Sequence, residues 1–127
     1  MPEFRNHASL PKPQFPGSHV VIDDRYVYVS GLEAVDIPGG DALLGDVPAE
    51  TRLIMDTLSE MLAAVECSLA DVVRVDVHLA DIADIGAMDA VYAGYFPDGR
   101  YPARTCTGAS GLFGGCRVEI TMMARRP

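Results

Sequence analysis

The chain has no tryptophan, only three cysteines and three histidines, and ten basic residues against eighteen acidic ones, for a formal net charge of -8. Each shortage argues against a class of function. Cys67, Cys106 and Cys116 form an odd set without paired spacing, so they read as reduced thiols rather than a disulfide framework. No two histidines stand at ligand spacing and there is no Cys-x-x-Cys, so no metal site is indicated. The acidic balance weighs against a nucleic-acid surface, which carries clustered Lys and Arg, and against docking on an anionic membrane. No stretch approaches the roughly 20 apolar residues of a membrane span. The start, MPEFRNHASLPKP, has no apolar run of signal-peptide length. These absences lead to the expectation of a cytoplasmic protein.

What is present is an ordinary globular composition: 127 residues, 49% hydrophobic and 22% charged, which predicts one domain over residues 1–127 with a core of its own. Residues 1–17 carry Pro2, Pro11, Pro13, Pro16 and Gly17 and read as an extended lead-in. Residues 18–22 and 26–30 read as two strands joined by the tight turn Asp23-Asp24-Arg25, with Gly31 closing the pair. Residues 32–47 read as loop. Pro48 and Glu50 suit a helix start, and Ile54, Leu58, Met61, Leu62 and Val65 form one apolar stripe, predicting a helix over 49–66. After a turn at 68–71, Val73, Val75, Val77 and Leu79 alternate with Arg74, Asp76 and His78, a half-buried strand. Asp76 and His78 share a face, but side chains two apart on a strand seldom pair well, so they read as solvated or interface polar groups. Ile85, Met88, Val91, Tyr92, Tyr95 and Phe96 form a second helical stripe, with Asp84 as its cap and Pro97-Asp98-Gly99 as its stop.

The last third, Tyr101 to Arg125, reads as a strand, a glycine-rich turn and a return strand. Arg104 and Cys106 point to one face of the first strand. Arg117, Glu119 and Thr121 share a face of the second. If these strands pair, a guanidinium fork that grips carboxylates and a carboxylate that can hold a water stand near one crevice. An ordinary cross-strand ion pair beside a buried cysteine fits the same pattern. The element order ββαβαββ puts two helices on one face of a mixed sheet, an α+β fold. Because Tyr26 and Tyr28 oppose Val27 and Val29, the sheet carries apolar groups on both faces, which predicts a homo-oligomer.

The segment PARTCT followed by VEI resembles the RidA/YjgF-type reactive-intermediate deaminases, also described as the L-PSP endoribonuclease family. YVYVSG, Glu50-Thr51 and LADVVRVDVHLAD support the likeness, with Tyr92 and Phe96, over nearly the whole chain from about residue 18. The resemblance implies a chorismate-mutase-like fold and a homotrimer with sites in clefts between subunits. It implies hydrolysis of small 2-imino or enamine carboxylic acids to 2-oxo acids and ammonia, with no cofactor and no metal. It places the substrate-binding arginine on Arg104 and the water-holding glutamate on Glu119. Cys106 and Ser30 fall on pocket positions, with Gly31 and Tyr92 near the cleft. Two departures stand out. Gly17 or Ser18 occupies the place of an early aromatic and His19 that of a glutamine. Gly111 to Gly115 lacks the usual proline, so either a more open pocket or a rim made by Phe113 is expected. A pathway-specific member acting on a larger aminated acid, aminomuconate-like, and a non-catalytic trimer that binds a small carboxylate are the competing readings. The net charge argues against ribonuclease activity.

Overall fold

Alternating side chains on three eight-residue strands supply one apolar sheet face, and two helices cover it. The computed structural model describes residues 1–127. Its six strands are β1 (Glu3–Arg5), β2 (Val20–Asp23), β3 (Tyr26–Glu33), β4 (Val72–Leu79), β5 (Ala103–Gly108) and β6 (Val118–Arg125). The helices are α1 (Val47–Ala63) and α2 (Ile85–Tyr92). The sheet order is β1-β2-β3-β6-β4-β5. All neighbours are antiparallel except β4 and β5. The predicted two-helix, mixed-sheet α+β architecture is therefore present, with β1 as an added edge strand inside the segment read as lead-in.

The predicted hairpin at the C-terminus is wrong. β5 and β6 do not pair: β4 lies between them, parallel to β5 and antiparallel to β6. α2 provides the crossover that a parallel pair needs, and the glycine-rich segment instead passes the end of β4. There Ala109 N–H donates to Leu79 O at 2.8 Å and Ala80 N–H to Arg117 O at 3.0 Å. Gly114, at φ +68, turns the chain in this crossing.

Val27, Val29, Leu32, Val75, Val77, Ile120 and Met122 are buried on the covered face, where Ile54, Met55, Leu58, Met61 and Leu62 of α1 join them in one core. Asp46 caps α1 by accepting from Ala49 N–H at 3.0 Å, so the helix starts two residues before the predicted position. Glu50 is fully buried, and its carboxylate accepts from Gly45 N–H at 2.8 Å and Arg117 N–H at 2.9 Å. That ties the helix start to the entry of β6. The helix ends in a Schellman arrangement: Cys67 N–H reaches Leu62 O at 2.9 Å, with Glu66 in the left-handed region at φ +63. α2 gives way to a short 3-10 turn at Ala93–Tyr95, earlier than its apolar stripe predicts.

Two further expectations shift. β3 runs past Gly31 to Glu33, with a register irregularity between Val29 and Leu32. A similar irregularity between Val72 and Arg74 turns Val73 outward, so Val72 takes its place in the core. The opposite face of the sheet has no helix on it. It carries Tyr28, 43% exposed, with Met123 beside it and a polar network on β4 and β5. In that network Arg74 donates to Asp76 at 2.9 Å and to Thr105 at 2.6 Å, and His78 bonds Thr107 at 2.7 Å. Asp76 and His78 do not pair with each other.

Candidate active site

Arg104 sits on β5 opposite Val75 of β4, so it points to the helix-covered face. Its Nη1 donates to Asp89 Oδ1 of α2 at 2.6 Å, and its Cζ lies 4.9 Å from the centre of the Tyr92 ring. The hydrogen bond to Asp89 holds Arg104 still more firmly in its charged form. These residues, with Ala93, Tyr101 and Pro102, line a cavity of about 280 Å³. The Tyr92 hydroxyl is buried and has no partner, and burial pushes it up to about 12, so it stays a proton-bearing donor. Cys106 lies on the same strand face, opposite Val77 and against the core. Burial raises its thiol pKa, the wrong direction for an activated nucleophile.

Glu119 points the other way. It stands opposite His78 of β4 and Glu33 of β3, on the open sheet face. A side chain built onto Gly31 would come within 2.9 Å of Glu119 Oε2, so glycine there lets the carboxylate lie against the backbone of β3. Glu119, Gly31, Ser30, His19 and Phe113 line a second cleft of about 730 Å³, rimmed by residues 10–15 of the N-terminal segment. Ser30 spends its hydroxyl on Ser18 O at 2.6 Å. His19 Nδ1 accepts from His7 N–H at 2.8 Å, which ties down the N-terminal segment, and burial lowers its pKa. Arg117 donates to Asp84, so it is not a neutralising partner of Glu119.

The structure thus brings Ser30, Gly31, His19, Phe113 and Glu119 to one cleft, and Arg104 with Tyr92 to another cavity. Arg104 and Glu119 lie on opposite faces of one sheet.

The family model described as Endoribonuclease L-PSP matches residues 8–126. The chain belongs to this family. Within this RidA/YjgF-type family it is 37% identical over 107 residues to the 2-iminobutanoate/2-iminopropanoate deaminase of Rattus norvegicus, covering 84% of this chain and 77% of that protein. It is 35% identical over 114 residues to the 3-aminoacrylate deaminase RutC of Acinetobacter baylyi, covering 90% of each. The crystal structure of YEO7 from yeast is similar with a TM-score of 0.91 at 26% identity, over 100% of both chains.

Sequence reasoning about this family member missed three residues at these sites. Asp89 is the anchor of Arg104, and its place on one exposed turn of α2 gave no pattern to read. Phe15 lines the Glu119 cleft, which puts an aromatic ring there although the resemblance places Gly17 or Ser18 where an early aromatic is expected. A signal for it existed, since Phe15 is only two residues before Gly17. Glu33 is nearly fully buried beside Glu119 and looked like part of a loop.

Proposed function

We propose that this protein hydrolyses small 2-imino or enamine carboxylic acids to 2-oxo acids and ammonia, in clefts formed between the subunits of a homotrimer. The observation that carries the reading is the division of the site. Arg104 and Glu119 occupy opposite sheet faces, so one chain cannot bring both to one substrate, whereas two copies can. The apolar and polar groups of the uncovered sheet face, with Tyr28 exposed among them, offer a surface for such assembly. The names of the deaminase relatives support the chemistry.

In this reading Arg104 grips the substrate carboxylate with the N–H groups that Asp89 does not use, and Asp89 holds the fork in one orientation. Tyr92 lays its ring against the guanidinium, and Cys106 lines the pocket without becoming a nucleophile. Across the cleft, Glu119 of a neighbouring copy orients a water and accepts its proton as the water attacks the C=N carbon. The carbinolamine then expels ammonia. Gly31 leaves room for the carboxylate, and Ser30, His19 and Phe113 shape the wall. The mechanism requires neither cofactor nor metal.

The volume of the Glu119 cleft, about 730 Å³, favours a second reading of the substrate as a larger aminated acid. One assay addresses both. An amino-acid oxidase generates imines from a panel of amino acids, and semicarbazide traps whatever survives. Wild type, but not Arg104→Ala, is expected to reduce trapping, and the panel then maps side-chain size. Trapping that neither wild type nor Arg104→Ala reduces, across the panel, refutes deamination of simple imines, and equal reduction by both refutes the role of Arg104.

A further inference from the structure

Glu33 has no part in the chemistry assigned above, yet it is the most anomalous polar residue of the cleft. It ends β3 directly opposite Glu119 of β6 and lines the same cleft. It is 5% exposed, and its Oε2 is buried with no hydrogen-bond partner. The groups facing it offer no cation: Glu119 from β6, Asp36 from the following 3-10 turn and Glu50 from α1 all disfavour its charge, and only the Cys116 thiol from the segment before β6, which donates a hydrogen bond to it, works the other way. A buried carboxylate in such company is strongly disfavoured in its charged form. Burial first, and then repulsion from Glu119, push the Glu33 carboxyl up to about 7. Directly opposed residues on antiparallel strands have Cβ atoms roughly 4.5–5.5 Å apart, within reach of two glutamate side chains around one small molecule.

We propose that Glu33 and Glu119 act as a carboxyl pair holding one proton between them, with Glu33 the acid and Glu119 the base of imine hydrolysis. This rests on the deaminase reading and deepens it. As the water oxygen bonds to the C=N carbon, Glu119 takes a proton from the water. The nitrogen receives the π electrons and takes the proton of Glu33, giving a carbinolamine. The C–N bond then breaks as the hydroxyl oxygen forms the C=O bond. The hydroxyl proton passes to Glu33 and the departing nitrogen takes the proton held by Glu119, releasing ammonia. Each carboxyl regains its starting state, and the pair carries one proton throughout.

Two measurements test the pair. The first follows glutamate side-chain carboxyls of the ligand-free protein by carbon-13 NMR titration, in wild type, Glu33→Gln and Glu119→Gln. One carboxyl titrating near pH 7 in wild type, absent in Glu33→Gln, is the expected result. The second is the pH profile of kcat with an imine turned over by wild type. Glu33→Gln keeps size and a hydrogen-bond donor but has no proton to give. It is expected to lower kcat by about a hundredfold, leave KM within about twofold, and lose the alkaline fall that wild type shows. All carboxyls titrating in the ordinary glutamate range overturn the proposal, and this wild-type measurement stands even if the variants fail to fold. So does a Glu33→Gln protein that keeps both the rate and the alkaline limb. If wild type hydrolyses no imine but shows the carboxyl near pH 7 and loses it in Glu33→Gln, the deaminase reading falls and the shared proton stands.

Discussion

Replacing Glu33 by glutamine should stabilise the protein, and only above a definable pH. In the folded chain the Glu33 carboxyl is pushed from 4.5 up to about 7, chiefly by burial. The unfolded chain releases this proton near 4.5, while the folded chain keeps it to about 7. Between those values the unfolded state binds fewer protons, so folding stability falls as pH rises. The penalty is absent below about pH 4, is fully developed above about pH 7, and amounts to about 3 kcal/mol at roughly 1.4 kcal/mol per pH unit. Glutamine resembles the protonated acid in shape and donor capacity and never ionises, so it escapes the penalty. Urea unfolding followed by circular dichroism, at one fixed protomer concentration, measures the difference between wild type and Glu33→Gln at pH 4, 6 and 8. The variant should match wild type at pH 4 and exceed it by about 3 kcal/mol at pH 8. A difference that is the same at pH 4 and pH 8 would refute the reasoning, because a packing effect carries no such pH dependence.

Three other predictions follow from the geometry. Arg104→Ala and Glu119→Ala should each be inactive as pure proteins, but unfolding and refolding them as an equal mixture should restore about a quarter of wild-type activity per site, since random assembly places both native residues at that share of shared clefts. A mixture as inactive as its components would refute a site built from two copies, and so would light scattering that shows a monomer at micromolar concentration. Arg104→Lys should lose nearly as much turnover as Arg104→Ala, because a point charge cannot hold Asp89 and a substrate carboxylate in one plane, and steady-state kinetics with the same imine reports it. Glu66→Gly should raise stability by up to about 1 kcal/mol in chemical denaturation, because a left-handed residue at the end of α1 suits glycine.

The sequence by itself determined the two helices, every strand but β1, and most of the faces that become the core. The stripe from Ile54 to Val65 and the alternation from Val75 to Leu79 are local patterns, set by helix and strand periods that every stretch of chain carries within itself. PARTCT and VEI likewise pointed to Arg104 and Glu119 as the residues of interest. Tertiary structure alone decided how those two stand to each other. Periodicity tells which side chains share a face of one strand, but not which strand lies next to it. β4 lies between β5 and β6, and its register with each, Arg104 opposite Val75 and Glu119 opposite His78, sends the two side chains to opposite faces. The opposition of Glu33 and Glu119 arose in the same way. Strand pairing is non-local, so a glutamate that reads as part of a polar loop became the buried partner of another, in surroundings that no stretch of sequence displays.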